Sequence, residues 1–345
     1  MSDDTSITGI DVPAVTAWFT EHTEAAPPLS FELIAGGRSN LTFRVTDTAG
    51  GAWVLRRPPM GHVLATAHDM GREHRIISAL APTDVPVAPV VGLSEDDSVN
   101  GAPFYVMDFV DGLVIRDAGV ALQIPAEVRR AAGLSLASTL AKIHAIDPDA
   151  VGLGELGRKE GYIARQLKRW NGQFEQATDR EVTEVTTAYQ RLLERIPEQG
   201  PATIVHGDYR LDNCMVDDAG EVIAVLDWEI CTLGDPLADL GVLMVYWSEP
   251  SDSIGGLLGG ATTVEGFPTR AELVEAYQEA SGREVGNLDY YVAFGYWKLA
   301  CILEGVYIRY KAGAMGDDGA DAEAFGDTVR LLGSASLDAL DRMEA

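Results

Sequence analysis

The chain has 345 residues, enough for two lobes with buried cores, and its 46% hydrophobic and 23% charged residues are typical of a globular protein. Its 53 acidic residues against 26 basic ones give a net charge of −27, which disfavours nucleic acid and anionic membranes as partners and mildly favours cationic substrates, although such an excess also serves solubility alone. Three widely spaced cysteines, an acidic N-terminus and no apolar run of membrane-spanning length predict a cytoplasmic protein without a disulfide framework or zinc site.

The first third of the chain predicts a small antiparallel sheet with one inserted helix, because short apolar runs alternate with turn residues. The predicted elements, in chain order, are a helix over residues 10–24, strands over 30–34, 41–46 and 52–57, a helix over 65–80, and strands over 85–93 and 103–110.

The rest of the chain predicts long helices. They cover residues 126–144, 162–173, 180–195, 236–247, 270–280, 288–310 and 322–339. Asp235 before Pro236 is a typical helix start, and Thr269 with Glu272 has the spacing of a capping box. The sequence therefore predicts an α+β protein with an N-terminal lobe over residues 1–110 and a larger, mainly helical C-terminal lobe over residues 111–345.

Residues 206–229 read HGDYRLDNCMVDDAGEVIAVLDWE and carry three oxygen-bearing side chains at a spacing that suits phosphoryl transfer. A turn at residues 217–220 would fold the two apolar runs into a hairpin, with Asn213 and Asp227 nearly opposite each other. Such oxygen ligands suit Mg²⁺, and Asp208 is placed to accept a proton from a substrate hydroxyl. The other interpretation is an acidic surface hairpin.

This arrangement resembles the catalytic core of protein-kinase-like enzymes, and most closely the aminoglycoside phosphotransferase family. The matching residues are His206, Gly207, Asp208, Asn213, Leu226, Asp227, Trp228 and Glu229, followed by Gly234, Asp235, Pro236, Asp239 and Leu240. The resemblance implies a bilobal protein-kinase-like fold that uses ATP and Mg²⁺. It also implies that Asp208 is the catalytic base and that Asn213 and Asp227 bind the metal.

A loop between the first two strands is the predicted phosphate cover, and it holds Gly36, Gly37, Ser39 and Asn40. Paired glycines let backbone amides approach phosphates closely, although a plain hairpin turn would use the same residues. The string GGRSNLTF also resembles the nucleotide loop of several aminoglycoside-phosphotransferase-like subfamilies.

Two charged residues complete the predicted clamp. Arg56 stands where protein kinases have a lysine, and its guanidinium can bind phosphate bidentately. Glu73 shares the apolar face of its predicted helix, so it needs a cation, and we predict an ion pair with Arg56. The alternatives are that Arg56 and Arg57 are strand-edge charges and that Glu73 is solvated.

The sequence predicts that residues 103–112 form a buried strand that runs into a glycine turn, at the place where the family has its hinge. The resemblance implies that the backbones of Asp108 and Val110 bind adenine, with Met107 as an inner neighbour.

The resemblance implies an ATP-dependent phosphotransferase that acts on a small-molecule hydroxyl, with Asp208, Arg56 and Glu73 as its catalytic residues. Family acceptors include aminoglycosides, choline, homoserine, sugars and hydroxyacyl thioesters. The strings GGRSNLTF, VLRRPP and HGDYRLDNCMVD look closest to the kinase domain fused to some acyl-CoA dehydrogenases, whose implied acceptor is a hydroxyacyl-CoA.

Several points stay open at the level of sequence. The basic cluster over residues 158–169 could receive an anionic acceptor or form a solvated helix face, and Arg210 could contact the transferred phosphate or lie on the surface. The competing class is a non-catalytic pseudokinase that binds nucleotide, which the arginine at position 56 would suit. The sequence predicts neither the oligomeric state nor a preference between ATP and GTP.

Overall fold

The computed structural model describes residues 7–34, 40–60, 69–252, 260–313 and 321–343. The chain divides into two compact units, residues 1–112 with 223–229, and residues 113–222 with 230–345. Residues 223–229 belong to the first unit because they bond there: the amide of Val225, for example, donates to the carbonyl of Pro86 across 2.8 Å. The first unit is therefore discontinuous in sequence.

The first unit is built on one antiparallel sheet of five strands in the order β1-β2-β3-β5-β4. Its elements are α1 (Val12–His22), β1 (Ser30–Leu33), β2 (Leu41–Thr46), β3 (Ala52–Arg57), α2 (Met70–Leu80), β4 (Val90–Ser94), α3 (Asp97–Asn100) and β5 (Phe104–Asp108). Phe19 of α1, Val45, Leu55 and Phe104 contribute to one buried cluster of this unit. In the antiparallel pairing of β3 with β5, Arg56 lies opposite Tyr105.

Helix α2 forms because Asp69 caps its start, accepting a hydrogen bond from the amide of Arg72 at 2.9 Å. Its buried residues are Met70, Glu73, Ile76, Ile77 and Leu80, which follow the helical period. The apolar face predicted from the sequence is therefore present, with one carboxylate on it.

The strand predicted before β5 differs most from its expected bounds. The strand expected over residues 85–93 begins only at Val90. Pro86 and Pro89 have no amide hydrogen, so they cannot donate to a sheet ladder, although both carbonyls accept hydrogen bonds.

The second unit is mainly helical, and each of the predicted long helices is present. Its elements are α4 (Ala118–Ala121), α5 (Ala126–Ala145), α6 (Tyr162–Ala177), α7 (Thr183–Glu194), β6 (Thr203–Val205), β7 (Cys214–Val216), the start of β8 (Val222–Val225), β9 (Thr232–Gly234), α8 (Pro236–Tyr246), α9 (Arg270–Ser281), α10 (Leu288–Lys311) and α11 (Ala322–Arg342). Strands β6 and β9 pair antiparallel and were not predicted, because three residues are too few to show a period.

Helix α10 forms the centre of the second unit. Its 24 residues include Tyr290, Phe294 and Trp297, which are buried in one cluster with residues of α6, α7, α8 and α11. The capping box predicted at Thr269 and Glu272 is present at the start of α9. No helix in the described part of the chain is long and apolar enough to cross a membrane.

All three cysteines are buried and free. Burial raises the pKa of the Cys214 thiol to about 12, so this thiol stays protonated at neutral pH.

Candidate functional site

In the second unit, Asn213 binds directly to Asp208. Asn213 ends the short 3₁₀ turn Leu211–Asn213, and its side-chain nitrogen donates to the carbonyl of Asp208 at 2.8 Å and to Oδ2 of the Asp208 carboxylate at 3.0 Å. Both bonds use the amide nitrogen, so the oxygen Oδ1 is the atom that Asn213 can offer to a cation.

Asp239 of α8 anchors the loop that leads to Asp208. Its carboxylate accepts hydrogen bonds from the amides of His206, at 2.7 Å, and Gly207, at 2.8 Å. It also lies 3.3 Å from Nε2 of His144. Burial alone would raise the pKa of Asp239, but the hydrogen bonds from His144 and Gly207 outweigh it and leave the pKa below its usual value.

His144 acts as a neutral hydrogen-bond donor to this carboxylate. Burial lowers the pKa of His144 more than Asp239 raises it, so the ring is uncharged at neutral pH. Nδ1 of His144 lies 2.8 Å from the hydroxyl of Tyr277, which can donate to it while Nε2 donates to Asp239. The contact between His144 and Asp239 is therefore a hydrogen bond and not an ion pair.

Arg210 lies beside Asp208 and is held by carboxylates. Its Nε is 3.3 Å from Oδ2 of Asp208, its Nη1 is 2.8 Å from Oδ2 of Asp212, and its guanidinium lies 4.7 Å from the ring centre of Tyr246. Burial lowers the pKa of Arg210, but the two carboxylates outweigh burial and raise it. Arg210 therefore keeps its positive charge next to the predicted base.

In the first unit, Arg56 is the shared partner of three carboxylates. Its Nη2 donates to Oδ1 of Asp227 at 2.6 Å, its Nε lies 3.1 Å from Oε2 of Glu73, and Nη2 lies 3.9 Å from Oε2 of Glu229. The predicted ion pair between Arg56 and Glu73 is present. This contact is an ion pair and not a hydrogen bond, because its geometry leaves Nε of Arg56 without a hydrogen-bond partner.

Glu73 is almost fully buried, with 2% of its side chain exposed. The hydroxyl of Tyr105 donates to Glu73 at 2.9 Å, and the side-chain amide of Asn40 donates to it at 3.1 Å. Burial raises the pKa of Glu73, although Arg56 and Tyr105 act in the opposite direction. Asn40 also reaches Glu229 at 3.3 Å, so it links two carboxylates of the group.

Arg57, the neighbour of Arg56, has a structural role that the sequence did not reveal. It is buried, and its guanidinium donates to the backbone carbonyls of Gly9 and Asn100. The alternation of side chains along β3 sends Arg56 and Arg57 to opposite faces of the sheet.

The first unit offers donors that suit a hard cation. Carboxylate oxygens of Glu73, Asp227 and Glu229 lie within 4.8 Å of one another. Asp227 has φ +61°, and it is the one residue other than glycine with positive φ in the described ranges. Residues other than glycine with positive φ are rare, and they are found preferentially at functional sites. Oxygen ligands of this kind fit Mg²⁺, which these three residues of the first unit could hold. That Asn213 and Asp227 lie opposite each other stays a prediction.

The remaining predicted nucleotide contacts are only partly described. Gly36, Gly37 and Ser39 lie outside the described residues. Met107 is buried in β5, and the amide of Asp108 donates to the carbonyl of Pro89 at 2.8 Å. The Asp108 carbonyl, and not its amide, is therefore the group that could meet a base there.

The first unit has a five-stranded sheet whose arginine pairs with a carboxylate of the inserted helix, and the helical second unit carries the Asp208–Asn213 loop. Together these features define a protein-kinase-like fold of the type found in small-molecule phosphotransferases. Residues 30–291 match the Phosphotransferase enzyme family, and the chain belongs to this family.

Curated relatives are longer proteins. The chain is 35% identical to acyl-CoA dehydrogenase family member 10 of Mus musculus over 84% of its length, and 31% identical to acyl-CoA dehydrogenase family member 11 of Homo sapiens over 95%. These alignments cover 27% and 43% of the relatives, so the chain spans less than half of each.

Solved structures share the fold. A candidate aminoglycoside phosphotransferase of Ralstonia eutropha JMP134 is 33% identical, with a TM-score of 0.80 over 96% of this chain and 98% of that one. A thermostable mutant of aminoglycoside phosphotransferase APH(4)-Ia, in a ternary complex with AMP-PNP and hygromycin B, is 16% identical, with a TM-score of 0.60 over 95% and 98% of the two chains. At that identity the likeness shows the fold alone.

Proposed function

We propose that the protein transfers the γ-phosphate of ATP to a hydroxyl group of a small molecule. The observation that carries the proposal is the carboxylate of Asp208, which the amide of Asn213 holds at 3.0 Å on a loop anchored by Asp239. A binding module without catalysis has no use for a carboxylate held in this way. The non-catalytic alternative is therefore not favoured.

Asp208 is the general base in this proposal. Its carboxylate accepts the proton of the acceptor hydroxyl and orients the oxygen for attack. Asn213 keeps Oδ2 of Asp208 in place by its hydrogen bond, and Arg210 lies on the same oxygen at 3.3 Å. The orientation of the base is thus set before the acceptor arrives, which is how positioning lowers a barrier.

Arg56 steadies the α- and β-phosphates, and Glu73 holds Arg56. The Arg56 side chain is 12% exposed, so its charge acts in a partly dry environment where electrostatic attraction is stronger. Asn213 and Asp227 would hold Mg²⁺, which when bound neutralises charge on the phosphate oxygens. Backbone groups of Asp108 and Val110 next to Met107 would bind the base, and Gly36, Gly37, Ser39 and Asn40 would cover the phosphates.

For the acceptor, we propose a hydroxyacyl-CoA ester. The support is the likeness to acyl-CoA dehydrogenase family members 10 and 11, which cover most of this chain at 31–35% identity. Aminoglycosides, amino alcohols and sugars are the other acceptors to consider, because family members act on such hydroxyl compounds.

An acceptor panel tests the proposal. The purified protein is given Mg²⁺ and ATP or GTP with aminoglycosides, amino alcohols, sugars and hydroxyacyl-CoA esters, and phosphate transfer is measured. We expect transfer to a hydroxyacyl-CoA ester and its loss by several orders of magnitude in D208N, with ATP binding retained. The matched control is D218N, because Asp218 is an exposed carboxylate in the turn that follows. ATP binding without transfer to any acceptor would favour the pseudokinase instead.

A further inference from the structure

The peptide groups on both sides of Gly207 are held in place. Gly207 has φ +88°, and its amide donates to Asp239 at 2.8 Å. Its carbonyl accepts a hydrogen bond from Nζ of Lys298 at 2.8 Å. The amide of Asp208, in the same peptide group as that carbonyl, donates to Nδ1 of His206 at 3.3 Å. Glycine has the greatest backbone freedom, so these contacts decide where Asp208 points.

Lys298 is an unusual residue for its location. It lies on α10, among buried aromatic residues, and is only 8% exposed. Within the described part of the chain, its one hydrogen bond goes to Gly207, and its ammonium group lies 5.5 Å from the ring centre of Trp170. Burying an ammonium group is costly, so a role that needs the charge is a better explanation than packing alone.

Two opposing electrostatic effects act on Lys298. Burial is the larger one and leaves its pKa below the usual value, while the carboxylates of Asp208 and Asp239 act in the opposite direction. The predicted base and the carboxylate that anchors its loop therefore both favour the charged form of Lys298.

We propose that Lys298 is a positioning residue for phosphoryl transfer, which rests on the function proposed above. Its charge-assisted hydrogen bond fixes the peptide group between Gly207 and Asp208 and so the direction of the Asp208 carboxylate. Lys298 does not touch the reacting atoms. It acts through Gly207, as Asp239 does from the other side.

Three variants test the proposal. K298M removes the charge and the donor but keeps a long side chain, and K298R keeps both. The control is E304Q, because Glu304 is also buried on α10 but binds Arg180 at 2.6 Å and Thr178 at 2.7 Å. E304Q disturbs a buried charge on the same helix without touching the loop.

The measurements are kcat and KM for ATP on folded protein, and hydrogen exchange of the amides of residues 206–208. We expect K298M to lower kcat about 10–100-fold with KM for ATP nearly unchanged, as for a misplaced catalytic group. Exchange at the loop should rise. K298R should recover most of kcat, and E304Q should lower the melting temperature without changing kcat or loop exchange.

The proposal is overturned if folded K298M keeps the kcat and the loop exchange of the original protein, or if K298R is as slow as K298M. If no acceptor receives phosphate from the unaltered protein, the proposed function fails. Hydrogen exchange of the amides of residues 206–208, compared between K298M and E304Q, then decides separately whether Lys298 holds Gly207. Equal exchange in the two variants would overturn that role of Lys298.

Discussion

The guanidinium of Arg56 donates to the carboxylate of Asp227 across 2.6 Å, although 171 positions separate the two residues in the chain. The same guanidinium lies 3.1 Å from Glu73. One cation thus serves a helix carboxylate and a predicted metal ligand. Surrounding acidic groups outweigh burial and raise the pKa of Arg56, so it stays charged at any pH where the protein is folded.

Replacing Arg56 should cost both stability and nucleotide binding. R56M leaves the buried Glu73 without its cation, and we expect a loss of about 3–5 kcal/mol in the free energy of unfolding. The double variant R56M/E73M removes the unpaired charge and should recover part of that stability, but not the affinity for ATP. Denaturant unfolding and ATP titration measure the two effects. Full recovery of ATP affinity in the double variant would contradict the role of Arg56 at the phosphates.

An alanine at Gly207 should be harmful for two reasons. At φ +88° a side chain costs about 1–2 kcal/mol. A Cβ atom there would also meet Ile230 at 3.1 Å. Gly152 is the matched control, because its φ is +74° and nothing lies within 4 Å of a Cβ atom. We expect G152A to lose only the stability that the strained backbone costs, with unchanged kcat. G207A should lose more stability and should also have a lower kcat. If the two variants had the same melting temperature and the same kcat, crowding at Ile230 would be unimportant.

The stability that Asp239 contributes should depend on pH. Its pKa is lowered in the folded protein, so its contribution is present above the unfolded pKa of about 3.9 and is lost as the pH falls through the folded value. The melting temperatures of the original protein and D239N should therefore differ most above about pH 5 and converge toward about pH 3. A difference that stays constant over this range would mean that Asp239 is not ionised in the fold.

Asn213 should influence both the base and the metal. N213A removes the two hydrogen bonds to Asp208 and the amide oxygen proposed as a ligand. We expect the Mg²⁺ concentration at half-maximal transfer to rise about 10–100-fold, together with a lower kcat. N171A is a suitable control, because Asn171 binds only Glu175 on the surface of α6 among the described residues. An unchanged Mg²⁺ requirement in N213A would remove Asn213 from the metal site.

The sequence predicted the Arg56–Glu73 contact because Glu73 lies among apolar residues at helical spacing, and such a carboxylate needs a cation. Periodicity identifies the face of a helix on which a residue lies, but it does not identify what that face meets. For this reason the hydrogen bond from Lys298 to Gly207, 91 positions away, was not predictable. Nor were the carbonyls that hold Arg57, since a charged residue at a strand end is usually solvated.

The elements that the sequence predicted correctly are those whose signals lie within a few residues. The capping box at Thr269 and the proline after Asp235 gave correct helix starts, because the relevant hydrogen bonds lie within a few residues. Strands β6 and β9 depend on a partner about thirty residues away, so their three-residue runs carry no sign of their pairing.

The discontinuity of the first unit bears on how the protein is made. A ribosome that has released only residues 1–112 has not yet synthesised residues 223–229, which complete that unit. Arg56 and Glu73 can meet early, but Asp227 arrives only after about half of the second unit has been translated. Until then the nascent N-terminal segment lacks part of its core and one carboxylate. Exposed strands are prone to aggregate at this stage, so this is when binding of a chaperone would protect the chain most.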